Sequence, residues 1–267
     1  MKTHLSQLLL IGQLSLLLFY GGCDKNSSTG PGDIASSVGS GSDYFPLTGN
    51  QTIIAKATGQ SVAYDSLGNV VQSQAVSQQE IKGFIGTAIV VGGRQSYPLY
   101  SFNKDGTTTT ATKFYLAQDN QSIVGFSAGT SIAQFITALP AEIKVGTTWV
   151  ANPTDLPRKQ ATLQVVDSKS SFTNSAGKTY SNVIKVNGVF SDSTSTTTSD
   201  STSSFNYLEK TKANVDIYFA KGIGLVDVQI NQYEIIYKYT GYYSFGVRYY
   251  FASYYRTATS GTIGRTN

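Results

Sequence analysis

Histidine and cysteine are nearly absent from this chain of 267 residues, which contains one of each, His4 and Cys23. His4 lies in an N-terminal leader, so we expect the exported chain to contain no histidine. The sequence therefore excludes metal sites built from histidine and cysteine, and catalysis by Ser-His-Asp or Cys-His sets. With a single cysteine, no disulfide can form within one chain.

Charge is also scarce, because only 13% of the residues are charged and the formal net charge is +4. The basic residues are scattered rather than arranged in a stripe, so we expect no nucleic-acid partner. No group of residues predicts a metal site or a cofactor. Serine, threonine, glycine and tyrosine are abundant instead, which is typical of exported β proteins with hydroxyl-rich surfaces.

The N-terminus has the layout of a secretory signal: a basic start at Lys2, an apolar run over 5–20, and the small pair Gly21-Gly22 before Cys23. The run is shorter and more polar than the roughly 20 apolar residues of a spanning helix. Tyr20-Gly21-Gly22-Cys23 resembles the bacterial lipobox, with Tyr20 where leucine is usual. We predict a lipoprotein signal peptide at 1–22 and lipidation of Cys23. An ordinary cleaved signal with a chance cysteine is the alternative.

Lipidation would anchor the chain to a membrane, because each buried CH₂ of an acyl chain contributes about 0.8 kcal/mol. Residues 23–43 are rich in glycine and serine and predict a flexible tether, since they cannot offset their own ordering entropy. We then expect one β-rich domain at 44–257 and a flexible tail at 258–267. The predicted location is the bacterial cell envelope, the outer membrane rather than the inner, with the domain in the periplasm or at the cell surface.

Short runs of β-branched and aromatic residues between turn signals predict an all-β, mainly antiparallel domain with little helix. The candidate strands are 52–58, 61–65, 84–91, 111–117, 123–127, 162–168, 182–190, 225–230 and 233–240. Turn signals separate them at 68–69, 92–93, 103–106, 119–120 and 174–177. Residues 132–139 have helical spacing before Pro140, with a strand as the alternative. Twelve of the fourteen residues in 191–204 are serine or threonine, which predicts a mobile loop between two strands of a long hairpin, with an O-glycosylated or adhesive tip as the alternative.

Two motifs have the form of catalytic or phosphate-binding sequences. Gly125-Phe126-Ser127-Ala128-Gly129 matches the G-x-S-x-G pattern, but the serine has no histidine base, so a bend in a strand is the preferred interpretation. Gly177-Lys178-Thr179 lacks the first glycine of a phosphate-binding loop and predicts a turn. The carboxylates Asp65, Glu80, Asp105 and Glu142 could pair across strands, although surface charge is the simpler interpretation.

The C-terminal part is unusually rich in tyrosine and phenylalanine, which present an apolar ring and, in tyrosine, a polar tip. Strands that pack aromatics on both faces would explain this composition. A binding surface for a glycan, a peptide or an envelope protein is the second interpretation, and an aromatic girdle of a membrane-spanning barrel is the third. The possible binding surface comprises Tyr242, Tyr243, Tyr249, Tyr250, Tyr254 and Tyr255.

Four stretches together resemble a group of poorly characterised bacterial lipoproteins with a β-rich exported domain. They are Tyr44-Phe45-Pro46-Leu47 with Gly49-Asn50, the segment 143–149 ending in Trp149, the segment 180–186, and the segment 218–226 with Gly222-Ile223-Gly224-Leu225-Val226. The resemblance implies a single curved antiparallel sheet or a half-open β-barrel, and it supplies no catalytic residues. Independently of it, Gly222 and Gly224 predict a tight connection between two strands, and Trp149 predicts a core anchor.

These observations predict a membrane-anchored lipoprotein that is not an enzyme and that binds or scaffolds another envelope component, whether protein, glycan or lipid. The alternative is a carrier that holds a lipid or an acyl chain on a concave sheet. A carboxylate-based glycosidase is the third possibility. A carrier needs a continuous apolar cavity, whereas a scaffold has a packed interior.

Overall fold

The structure is a computed structural model that describes residues 22–23, 38–65, 67–101, 114–127, 136–152, 160–199, 203–244 and 247–267. For 22–23, 190–199, 203–211, 233–244, 247–255 and a few other strand residues it describes the backbone alone. Within these ranges, no helix combines the length and the apolar content needed to cross a bilayer.

The described chain forms fourteen β-strands and one short α-helix, α1, at Gly41–Tyr44. In chain order the strands are β1 Gly22–Cys23, β2 Gln51–Tyr64, β3 Val70–Ile85, β4 Ile89–Val91, β5 Arg94–Ser101, β6 Phe114–Asp119, β7 Ser122–Ser127, β8 Ile136–Leu139, β9 Thr148–Asn152, β10 Gln160–Thr173, β11 Thr179–Ser199, β12 Ser203–Ala220, β13 Gly224–Ser244 and β14 Val247–Arg265. The prediction of an all-β chain with little helix is confirmed.

All described strand pairs are antiparallel and belong to one curved sheet, in the order β1-β9-β10-β11-β12-β13-β14-β2-β3-β5-β6-β7-β8, with β4 beside β5. The sheet curls until β8 approaches β9, where the indole Nε1 of Trp149 donates a hydrogen bond to the carbonyl oxygen of Thr137 at 3.0 Å. The single curved sheet and the anchoring role of Trp149 are therefore confirmed. The nearly closed sheet is called the body below.

The interior of the body is a single apolar cluster to which strands from all around the sheet contribute. Ile85, Leu116, Ile123, Ile184 and Val228 all belong to it and are fully buried. Apolar residues two apart on one strand, such as Val215 and Ile217, face this interior together because side chains alternate between the two faces of a strand. The body is consequently held together by side chains that converge from opposite parts of the curve.

Turn residues fix the hairpins of the body where the sequence predicts them. Gly92 and Gly93 have φ of 57° and 79° between β4 and β5, and Asn120 and Gln121 have φ of 45° and 70° between β6 and β7. Two successive positive φ values match the right-handed twist of the flanking strands. The turn signals at these two hairpins are confirmed, whereas the one predicted at 103–106 lies outside the described residues.

Several predicted boundaries are wrong. The tail at 258–267 is instead the end of β14, where Ile263 is buried, and the side chain of Asn267 contacts β2. The tether ends before 43, because Val38 and Gly39 already pair with Ile143. Composition misled both predictions: Ser, Thr and Gly are as frequent in the strands of this chain as in its connections.

Two predicted connections are also strands. Residues 191–199 continue β11 and pair with β12 up to Ser199–Ser204, so the predicted long hairpin is present, and its described low-complexity part is strand rather than mobile loop. In the predicted helix at 132–139, the described part Ile136–Leu139 is strand β8, which fits its β-branched residues. The predicted strand pairs 52–58 with 61–65, and 225–230 with 233–240, are each one continuous strand.

Candidate functional site

The predicted lipidation residue lies beside an edge of the sheet in the full-length chain. Gly22 and Cys23 form β1 and pair with Asn152 and Ala151 of β9. Only their backbone is described, and residues 24–37 lie outside the described chain. Cleavage before Cys23 would remove Gly22, so this two-residue pairing belongs to the uncleaved chain. Lipidation of Cys23 stays a prediction.

The segment that follows the undescribed residues closes one end of the body. Ser40 caps α1, since the Asp43 N–H bonds to its hydroxyl and its own N–H donates to an Asp43 carboxylate oxygen at 2.9 Å. The Ser40 N–H is the main cause of a lowered Asp43 pKa, and Lys221 Nζ lies 3.8 Å from the same carboxylate. Phe45 is buried with its ring edge toward Phe219 at 6.2 Å. The N-terminal connection is thus fixed to the body at this end.

The connection between β12 and β13 meets the same segment. Gly222 and Gly224 have φ of 76° and 99°, which confirms the tight turn predicted for them. The Gly222 N–H donates to the Asp43 carbonyl at 2.7 Å, and the α-carbon of Gly224 lies against the Phe45 ring. This glycine motif therefore serves structure: it brings two apolar strands close to the chain entering the body.

The six tyrosines of the predicted binding surface lie on β13 and β14, which form one hairpin. The register places Tyr242 opposite Tyr249, Gly241 opposite Tyr250, and Tyr243 opposite Arg248. Tyr254 and Tyr255 pair with Tyr237 and Ile236. The side chains of these residues lie outside the described part, so the structure brings the six residues onto one hairpin without testing whether they bind a partner.

The described part of the G-x-S-x-G motif is strand. Gly125 and Ser127 belong to β7 and pair with Leu116 and Phe114 of β6 in unbroken register, and Ala128 and Gly129 lie outside the described residues. An elbow would place the serine on a sharp turn between a strand and a helix. Ser127 is the last described residue of β7, and a structural rather than catalytic role for it stays a prediction. Hydrolysis of simple esters by the purified protein that is lost in Ser127→Ala would contradict this assignment.

The candidate carboxylates do not converge in the described chain. Asp65 accepts hydrogen bonds from Asn69 and caps the β2–β3 turn, and this lowers its pKa. Glu80 and Glu142 each lie beside a lysine two residues away, and Asp105 lies outside the described residues. Among the residues described, no group of three His, Cys, Asp or Glu side chains could hold a metal ion.

Sequence reasoning missed a buried carboxylate, Asp227 on β13, which is fully buried. Its Oδ1 accepts hydrogen bonds from Ser175 Oγ at 2.5 Å and from the Ser175 N–H at 3.2 Å, and its Oδ2 accepts one from Gln229 at 3.0 Å. Burial raises the pKa of Asp227, and these hydrogen bonds oppose the rise. A period-two pattern with an acid between Val226 and Val228 was the only signal in the sequence.

Asp227 belongs to a polar lock that fastens the β10–β11 turn onto β13 and β14. Asn174 donates from Nδ2 to the carbonyl oxygens of Val226 at 2.9 Å and Arg265 at 2.8 Å, while Tyr180 OH donates to Arg265 O at 3.2 Å. The guanidinium of Arg265 donates in turn to the Ile223 carbonyl at 2.9 Å. No substrate can reach a carboxylate that is fully buried, so the lock holds structure rather than performing chemistry.

The comparisons with known proteins give no family for this chain. No family model matches it, and no curated protein matches it. Among solved structures, an OmpT of Vibrio cholerae with loop L8 deleted, an outer membrane protein, covers 82% of this chain over 100% of its own length, at 8% identity and a TM-score of 0.20. Outer-membrane-expressed OmpT of Vibrio cholerae covers 84% of this chain and 100% of its own, at 7% identity and a TM-score of 0.20. At that TM-score, neither likeness carries an argument.

Proposed function

We propose that this chain is a non-catalytic lipoprotein of the bacterial cell envelope, anchored through Cys23, whose β body scaffolds or binds another envelope component. The observation that carries the proposal is the leader that ends in Gly21-Gly22-Cys23. An anchor at this point delivers a folded body to a membrane surface without requiring the body itself to contact lipid.

The way the body begins is consistent with an anchor on its N-terminal side. Fourteen residues separate Cys23 from Val38, whose N–H donates to the Ile143 carbonyl at 2.7 Å in the first contact that the structure describes after Cys23. From there α1 and Phe45 are fixed against β7 and β12. A pull on the lipid end would therefore be transmitted to the closed end of the body, at the opposite end from the tip of the β13–β14 hairpin.

A scaffold is favoured over a carrier by the packing of the interior. Ile85 on β3, Leu139 on β8 and Ile184 on β11 are fully buried members of one cluster, although their strands lie far apart in the sheet. Side chains from distant parts of the curve meet each other there, as in a packed core. A carrier would hold its ligand between these same walls.

We infer the absence of a reaction from the sequence and from the described carboxylates. The predicted exported chain has no histidine, Ser127 lies in a strand, and Asp227, the one fully buried carboxylate among the described side chains, is closed to substrate. Asp65, Glu80 and Glu142 each have a local partner. The glycosidase alternative would need two of the chain's carboxylates about 5–9 Å apart across an open cleft.

The intact mass of protein extracted from the envelope tests the proposal. We expect a chain that begins at Cys23 and carries covalent acyl groups, and we expect Cys23→Ser to retain the leader and to lose the acyl mass. Ser27→Ala is the matched control and should be processed like the wild type. Native mass spectrometry of the same sample distinguishes a scaffold from a carrier, because a co-purified, non-covalent lipid would support the carrier. A leader left intact on an unmodified wild-type chain would refute the anchor.

A further inference from the structure

The four longest strands of the sheet continue well past the body. β10 pairs with β11 only as far as Ser191, and β2 pairs with β14 only as far as Arg256. Beyond these points the described part of β11, β12, β13 and β14 forms a four-stranded ribbon made of 192–199, 203–211, 234–244 and 247–255. Eleven residues of β13 give this projecting ribbon a length of about 36 Å.

The projecting ribbon has two edges that pair on one side only within the described chain. One edge is 192–199 of β11 and the other is 247–255 of β14. Edge strands of stable monomers are usually protected by proline, by charged side chains, above all lysine, or by a bulge. Neither edge contains proline or lysine, their only charged residues are Asp192 and Arg248, and both ladders run in unbroken register. Threonines on one edge and aromatic residues on the other favour extended backbone. Both edges are thus suited to accept another strand.

The two edges cannot pair with each other inside one chain. Three strand-to-strand spacings of about 4.8 Å place them about 14 Å apart. Four strands are also too few to close a barrel around their own side chains, since even eight leave only enough room for side chains. Within the described chain neither edge has a second neighbour, so each is open to pairing with a strand from another molecule.

Strand direction identifies which partner fits. The ribbon has an even number of antiparallel strands, so β11 runs toward its tip and β14 runs away from it. When β14 of one copy lies beside β11 of the next, the pairing is antiparallel and every tip points the same way. The edges also match in extent, eight residues against nine, and lie at the same height, because Thr196 is level with Tyr207, Lys238 and Ser253 in successive registers.

We propose that copies of this chain assemble side by side through their ribbons, with the β11 edge of one copy paired to the β14 edge of the next. Such head-to-tail contacts build a ring when the rotation closes. The proposal goes beyond the scaffold role because it names a second copy of the chain as the partner. The test of this assembly is independent of the intact-mass experiment, which concerns the lipid anchor and a carried ligand.

Disulfide cross-linking of the full chain in the envelope of producing cells tests the assembly. Thr196→Cys is combined in turn with Tyr249→Cys, Phe251→Cys and Ser253→Cys, which samples three registers at the same face spacing. Within one copy these positions are about 14 Å apart, and a disulfide needs its α-carbons within about 7 Å. We expect at least one double variant to give a ladder at multiples of the chain mass on a non-reducing gel. The controls are the wild-type chain, whose one cysteine is Cys23, and the four single variants, and all five should stay monomeric.

Three other outcomes would overturn the proposal. Dimers of a single variant such as Ser253→Cys would show that like edges pair, with tips pointing in opposite directions. Adducts whose mass is not a multiple of the chain would identify a different protein as the partner. Finally, native mass spectrometry of the detergent-extracted wild-type chain should give oligomers, and a monomer would refute the assembly even where the cysteine variants fail to fold.

Discussion

The body and the projecting ribbon share the strands β11 to β14, and they differ in what lies beside and behind those strands. In the body, inward-facing side chains such as Val186, 1% exposed, belong to the central cluster, whereas Val189, three residues further and therefore on the outer face of β11, is 39% exposed. Near the β10–β11 turn the outer face is covered as well, because Val183 is 1% exposed in a second cluster with Tyr180 and Val226. In the ribbon only the backbone ladder is described, and none of the described strands pairs with its two edges. What the structure shows of the ribbon is thus strand pairing, to which the body adds packed side chains.

The largest expected effect on the free energy of unfolding comes from shortening an inward-facing side chain of the body. Ile184→Ala removes a fully buried side chain and should lower the free energy of unfolding by about 2–5 kcal/mol. Val189→Ala, on the same strand, should cost less than about 1 kcal/mol, because its side chain is largely open to solvent. Urea unfolding followed by circular dichroism measures both variants. Equal losses of stability in the two variants would mean that the outer face of β11 at Val189 is packed as tightly as its inner face at Ile184.

The second-largest expected effect on the free energy of unfolding comes from the polar lock, and it is measured at Asp227. Asp227→Ala leaves the Ser175 N–H and hydroxyl without their acceptor and should cost about 1–3 kcal/mol at neutral pH. Because burial raises the pKa of this carboxyl, the folded state holds the proton to higher pH than the unfolded state. Its contribution is therefore greatest below the ordinary pKa of aspartate and is lost as the pH rises through the folded pKa. Asp227→Asn should remove this part of the pH dependence of unfolding.

Asp65 is the matched control because its shift has the opposite sign. Hydrogen bonds from Asn69 lower the pKa of Asp65, so its contribution is present above the ordinary pKa and is lost as the pH falls through the folded one. Asp65→Asn should therefore flatten the acid side of the stability curve, where Asp227→Asn steepens it. If both variants changed the curve in the same direction, the assignment of a raised pKa to Asp227 would be wrong.

The sequence predicted local features of the body well, but it did not predict contacts between residues that are far apart in the chain. The positive-φ turns at Gly92-Gly93 and Gly222 were predicted from the sequence, because few residues other than glycine adopt that backbone conformation. Trp149 was predicted as a core residue because large aromatic side chains are usually buried. The lock was not, since Asn174 and Asp227 are 53 positions apart and neither belongs to a motif. A long hairpin at 191–204 was predicted, but its paired strands were not, because serine and threonine at 191–199 suggest a loop unless the partner strand is known.

The aromatic end of the chain provides the smallest expected change. On β13 and β14 the structure describes only the backbone of 233–244 and 247–255, and it places Tyr249 and Tyr250 near the tip of the ribbon, opposite Tyr242 and Gly241. We predict that their rings face solvent or a neighbouring copy, so Tyr249→Ser with Tyr250→Ser should change the free energy of unfolding by less than about 1 kcal/mol, at a concentration where native mass spectrometry finds a monomer.

Tyr180→Ser is the control of the same residue type in the body, where the tyrosine is 4% exposed and its hydroxyl bonds to Arg265. It should cost several times more, because it removes both a buried ring and a hydrogen bond inside the polar lock. If the ribbon double variant unfolds as readily as Tyr180→Ser, the aromatic residues form a second core. The ribbon would then be stable by itself, and its edges would be all that it offers to a neighbouring copy.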